Sequence, residues 1–380
     1  MTDGDRFDGP VRTVNDKIVR DWLRHAHQLE RVSQHEAARI EKFLRSDVLP
    51  DIMGKLVSRL ERINARGYDA GVESTKRFKD LREQIMQIVD EGVQQVAKTN
   101  VKELERLSVY EARWQKKTIE AAIPESIGIN LTLPDPKVLR ELVKTRPLAG
   151  YGIEEWFDKL TVDTADRIER EVRIGLAEGQ SVPDIARRIR GTAELDGGDG
   201  VFAITQRHAQ AIARNASIHV SNQARQELFK DNEDIIDREQ WVATLDTRTC
   251  KKCGALDGKV FPVGEGPMPP AHPPGPSGGA CRCARVAVVR PLSEVLGRKK
   301  KGEGRITEGE RASMNGRVST STTYSEWLKT LPQDELEEAL GATRAKAFAD
   351  GELTLEKMVD QSGRTLSLDE LAKVEGLDLE

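Results

Sequence analysis

All four cysteines of this 380-residue chain, Cys250, Cys253, Cys281 and Cys283, fall within 34 residues of one another. Cysteines scattered through a core would not gather in this way, so the grouping calls for a local cause. Between the two pairs, 12 of the 19 residues from Pro262 to Ala280 are Pro or Gly, which excludes helix and central strand. The flanks are short and β-like: Trp241–Leu245, then Val260–Phe261 after the turn Leu256-Asp257-Gly258-Lys259, then Arg285–Val289. A sheet this small buries little apolar surface, and a cross-link at its centre would supply folding free energy.

Cys250-x-x-Cys253 has the spacing of a zinc knuckle, and Cys281-Arg282-Cys283 follows after 27 intervening residues, with His272 in the loop between. Cys250, Cys253, His272, Cys281 and Cys283 are therefore five candidate ligands for the four places of a tetrahedral, structural Zn²⁺ site. Two thiolates in C-x-C bind one ion less readily than in C-x-x-C. His272 is then the natural replacement, giving Cys250, Cys253, His272 and one of Cys281 or Cys283. Reduced, unligated thiols and disulfides formed after release are the alternatives these residues leave open. A redox C-x-x-C should open a helix after a strand, whereas Asp246–Thr249 and Gly254 read as a turn.

The rest of the chain is mainly helical. Ile18, Trp22, Leu29, Val32, Ile40, Phe43 and Leu44 recur at three- and four-residue steps, so 11–66 reads as a helix, interrupted at Pro50. A second helix is expected over 75–120, with the turn near Gly67 and Gly71. The narrow apolar stripes suit helix-on-helix packing. A Pro-containing connector follows, then a helix over 153–178. Ser181 is a good N-cap for the next, which stops before Gly191. Residues 204–230 form a further helix, with Ile212, Ile218, Ala224 and Leu228 inward. After Pro291 comes a polar linker containing the basic run Arg298-Lys299-Lys300-Lys301, and a last helical segment covers Tyr324–Phe348. The expected class is α+β: a mainly α-helical N-terminal region with long helices, a small Cys-rich β-containing module and a helical C-terminal tail. The expected divisions are an N-terminal helical arm (1–120), a connector (121–150), the module (151–290), a flexible linker (291–323) and the tail (324–380).

Composition narrows the function classes. A net charge of −4 gives no global nucleic-acid signature, so DNA contact would need a local patch such as Arg298–Lys301. No apolar run approaches a membrane span, and the polar, acidic N-terminus carries no secretory signal, so the chain is expected in a cytosol. No H-E-x-x-H, P-loop, G-x-S-x-G or G-x-G-x-x-G stands in a supporting context. His208 and His219 read as structural residues of a helix. The chain is thus expected not to be an enzyme, with no catalytic or organic-cofactor residues.

The ordered set Trp241, Asp246, Arg248, Thr249, Cys250, Cys253, Leu256-Asp257-Gly258-Lys259, Pro269-Pro270, His272 and Cys281-Arg282-Cys283 resembles the signature of the phage Mu F-like, SPP1 gp7-like head-morphogenesis family. The helix start at Gly179–Arg190 and the Ala/Arg-rich stretch Ala209–Leu228 extend the likeness over roughly 150–290. Tyr324-x-x-Trp327-Leu328, Leu340-Gly341-x-x-Arg344 and Leu366-x-Leu368-Asp369-Glu370-Leu371 resemble a tail of phage minor head proteins. Two departures are an eight-residue Pro/Gly insertion between His272 and Cys281, and Arg214-Asn215-Ala216-Ser217 where relatives often carry a Thr-Glu pair. The resemblance implies a minor capsid protein of a tailed bacteriophage, in the virion near the portal vertex. It would act in head assembly, DNA packaging or delivery. Its implied partners are the portal protein and, beyond it, major capsid or scaffold protein and packaged DNA. A zinc-dependent DNA-processing enzyme or an effector carrying a head module is the alternative.

Overall fold

The structure is a computed structural model that describes residues 14–64, 72–270, 274, 281–295, 310–360 and 363–376. The class is the expected α+β, with long N-terminal helices, a small sheet beside the cysteines and short C-terminal helices. The expected turn at Gly67 and Gly71, His272 and the run Arg298–Lys301 lie outside the described residues.

Helix α1 (Val14–Phe43) passes through a wide π-helical turn (Leu44–Val48) directly into α2 (Leu49–Asn64). The expected break at Pro50 does not occur. Proline removes one N–H from the ladder, and here that loss falls where the hydrogen-bond register changes from π to α, so the chain stays helical. Helix α3 (Val72–Ala122) spans 51 residues. Then come α4 (Pro136–Thr145), α5 (Ile153–Ala177), α6 (Val182–Arg190) and α7 (Phe202–Lys230). Asp135 caps α4 and Ser181 caps α6, each accepting a backbone N–H of the first turn.

The helices pack by their apolar faces. Ile40, Ile52 and Leu60 of the first two helices and Val89, Val93 and Val96 of α3 share one core with Phe157 and Ile168 of α5 and Ile212 and Val220 of α7. The stripe on the first helices therefore packs against the helices of 153–230 as well as within its own pair. Helix α7 is buried nearly all round, which hides its inward face from a periodicity reading.

The sheet has three antiparallel strands in the order β2-β1-β3: β1 (Ile236–Val242), β2 (Val260–Pro262) and β3 (Ala284–Val289). Strand β1 begins five residues ahead of the expected Trp241 and ends before Ala243. Its charged start, Asp237-Arg238-Glu239, conceals it, because the Glu239 side chain is buried against β3 rather than exposed. The first turns of α1 and the end of α7 close over this sheet in a second core with Trp22, Phe229, Ile236 and Val286.

Two further expectations change. Within the span read as a linker, the short helix α9 (Leu292–Val295) and a hairpin, β4 (Glu310–Ser313) with β5 (Gly316–Ser319), are formed. The segment Tyr324–Phe348 is three short helices: α10 (Tyr324–Leu328), α11 (Gln333–Leu340) and α12 (Ala342–Ala349). Pro332 caps α11 and Gly341, at φ 83°, ends it. With α13 (Leu368–Glu375) they enclose Trp327, Leu340, Phe348 and Met358, and pack on Leu245 and Ala255 of the cysteine region.

Candidate metal centre

The chain leaves β1 through a turn built by Asp246. Its side chain accepts the Arg248 N–H at 3.1 Å, its carbonyl accepts the Thr249 N–H, and the Thr249 hydroxyl donates to the Thr244 carbonyl at 2.6 Å. That turn delivers Cys250 as the N-cap of α8 (Lys251–Leu256), where its sulfur accepts the Cys253 N–H at 3.4 Å. The expectation that Cys250-x-x-Cys253 lies in a turn is thus corrected: the motif opens a short helix after a strand. A sulfur cap satisfies one of the free N–H groups of the first turn, which lets α8 form despite Gly254.

Cys253, Cys281 and Cys283 are all buried, and their sulfurs lie within 4.8 Å of one another. Cys253 Sγ and Cys281 Sγ are 3.9 Å apart. Tetrahedral thiolates at about 2.3 Å from Zn²⁺ would stand roughly 3.8 Å apart, so the donor set and its spacing fit a structural zinc ion. Both sulfurs of C-x-C enter the cluster, so a histidine is not required to replace either. Cys250, half-buried, is hydrogen-bonded to Cys253, but its sulfur lies outside the close group formed by the other three. His272, the fifth candidate, falls outside the described residues.

Neither Cys253 nor Cys283 is activated. Hydrogen bonding to Cys250, Cys281 and Cys283, with burial, pushes the Cys253 thiol well above its usual range. At Cys283 the hydrogen bond with Cys253 pulls the other way, but Cys281 and burial outweigh it. A redox nucleophile needs the opposite shift. Thiols packed this closely ionise together only when a cation neutralises them.

Side chains other than the cysteines hold the knot in place. Arg282 forms paired hydrogen bonds with the Asp246 carboxylate, one of them 2.8 Å. Burial opposes Asp246 ionisation, but this pairing outweighs it and holds the carboxyl below its usual range. Asp257, in the Leu-Asp-Gly-Lys turn, accepts the Ala243 N–H and the Tyr324 N–H, each at 2.7 Å, and the Arg311 guanidinium at 3.0 Å. Arg311 also donates to the Ala243 carbonyl at 2.6 Å. Arg311 and Tyr324 carry no signal near the cysteines in sequence, and only the hairpin and α10 bring them there.

Sequence reasoning also missed a buried network of ionisable side chains behind the sheet. His25 Nε2 meets Glu111 at 2.7 Å, Arg225 lies 3.5 Å from the same carboxylate, and Arg285 lies 3.2 Å from Glu239. The Arg225 guanidinium stacks 3.9 Å from the Trp22 ring centre, and His25 stacks on Trp114 at 3.6 Å. Burial pushes Arg225 down to about 10, which leaves it charged at neutral pH. His208 and His219 sit in the body of α7, both buried, and burial lowers both, His219 to about 4.

Among the described residues, no helix is long and apolar enough to cross a membrane. No solved structure matches the chain. An Enterococcus faecalis (strain ATCC 700802 / V583) protein named NAD(+)–arginine ADP-ribosyltransferase EFV is 26% identical over 182 residues. That match covers 45% of this chain and 35% of the relative, so the chain spans about a third of that protein's length. Residues 166–286 match the family described as Phage Mu protein F like protein. This matched segment, about a third of the chain, carries all four cysteines, β1, β2 and the start of β3, and is where the chain is similar to the phage Mu protein F-like family.

Proposed function

We propose that the chain is a minor head protein of a tailed bacteriophage, bound at the portal vertex and supporting head assembly, DNA packaging or DNA delivery. The observation that carries the reading is the family match over 166–286, a segment whose structure is a stapled module packed among long helices rather than an open cleft. The portal protein is the expected partner of the helices, with major capsid or scaffold protein as further contacts. Packaged DNA would meet Arg298, Lys299, Lys300 and Lys301. The role is structural and the place is the virion, assembled in host cytoplasm. The metal is Zn²⁺ held by Cys250, Cys253, Cys281 and Cys283, and its task is to fix the sheet to α8.

Co-expression of the tagged full chain with the portal subunit of its phage tests the reading. Co-purification at fixed stoichiometry is expected. Absence of a complex, with normal heads formed when the gene is deleted, would overturn it. The transferase activity in the name of the Enterococcus relative belongs to a protein of which this chain covers 35%.

A further inference from the structure

A pocket of about 230 Å³ lies where α1 and α7 meet the cysteine loops. Its wall brings together Arg214 from α7, Arg248 from the turn before Cys250, and Arg282 from between the last two cysteines. Arg248 and Arg282 already share Asp246, at 3.5 Å and in the paired hydrogen bonds described above. The acid among the lining residues, Glu30, accepts a hydrogen bond from Gln34 at 3.3 Å. Arg214 differs: its Nε is buried, and it has no hydrogen bond or ion pair among the described residues. Arg214 thus brings to the wall one guanidinium without a counter-ion among the described residues.

A guanidinium nitrogen removed from water without a partner is costly. An anion in the pocket would remove that cost with charge-assisted hydrogen bonds. We propose that this pocket binds a small phosphomonoester, with its phosphate facing Arg214 and Arg282 and its organic part against Ala26, Leu29 and Ile218. A phosphate near −2 charge with three acceptor oxygens can engage two guanidiniums at once, whereas a single carboxylate satisfies one. At roughly 30 Å³ per water the volume corresponds to about eight waters. That suits a sugar phosphate and is too small for a dinucleotide.

Calorimetric titration of the full chain with ribose 5-phosphate, ribose, inorganic phosphate and succinate tests this, alongside the Arg214→Gln variant. Ribose 5-phosphate should bind one-to-one, inorganic phosphate more weakly, and ribose not at all. Arg214→Gln should weaken ribose 5-phosphate by about tenfold or more, the scale of one lost charged hydrogen bond. The variant should melt no lower than the parent, because Arg214 has no partner among the described residues, so lost affinity is not lost fold. Unchanged affinity in the variant, no binding by the parent, or succinate binding as tightly as ribose 5-phosphate would overturn the proposal. So would binding of duplex DNA alone with a steep salt dependence, which would make these arginines an open nucleic-acid surface.

Discussion

Arg311 sets its guanidinium 3.0 Å from the Asp257 carboxylate, in a pair whose side chains are only 4% and 0% exposed. The two residues lie 54 positions apart, and their pairing ties the β4–β5 hairpin to the turn that follows the first cysteine pair. Removing one partner of a buried pair strands the other charge, at a cost of about 3–5 kcal/mol. Arg311→Ala should therefore lower unfolding stability by about that amount in urea. Arg311→Met combined with Asp257→Asn should recover part of it. A loss below about 1 kcal/mol would show that the pair behaves as a surface contact.

The cysteine knot should respond to metal removal and to loss of single sulfurs in the same way. Purified chain is expected to carry about one Zn²⁺, and Cys253→Ser or Cys281→Ser should abolish it. A strong chelator should lower the melting temperature of the parent and leave both variants unmoved. Elemental analysis with thermal melts checks this, and full metal retention in Cys281→Ser would exclude that sulfur from the site.

Gly254 packs so closely on Tyr324 that a Cβ there would run into the ring. Alanine in place of glycine ordinarily favours a helix by about 1 kcal/mol. Here overpacking should win, because Tyr324 is buried and its hydroxyl donates to the Asp246 carbonyl at 3.1 Å. Gly254→Ala should destabilise by about 1–3 kcal/mol and open the C-terminal helices to proteolysis before the helical core. A neutral or stabilising result would show that the ring moves freely.

How much of this was legible in sequence differs by element. Cys250 to Cys283 could be read because its signals are local: cysteine spacing, a Pro/Gly loop and valine runs. Helix α8 was missed because its start depends on a sulfur cap that exists only in three dimensions. The β4–β5 hairpin turns at Met314-Asn315, ahead of Gly316 at φ 127°, and its local sign is weak: one Asn-Gly pair set among polar neighbours. The buried network of ionisable side chains from His25 to Arg285 is not legible: each looks solvated on its own helix or strand, and its partner comes from another element. Pro332 and Gly341 divide Tyr324–Phe348, each a residue that punctuates a helix.

His219 gives the fold a pH dependence of definite sign. Its ring nitrogen contacts the Arg146 carbonyl at 3.2 Å, and burial pushes its pKa down to about 4 from 6.5. Between those values the unfolded chain binds a proton that the native chain refuses. The stabilisation is therefore complete above about pH 6.5 and is lost as pH falls toward 4. The two values imply ~3 kcal/mol across that window. His219→Gln should flatten the dependence of urea midpoints on pH there, His208 contributing what remains. An unchanged slope would mean that His219 protonates freely in the native state.

The claim on which the functional account rests is that this chain is built into a phage head. Quantitative mass spectrometry of gradient-purified particles from the phage that encodes it tests that most directly. The account predicts the chain in mature heads at a few copies per portal, co-fractionating with the portal subunit. Particles that are complete, infectious and free of the chain would contradict it.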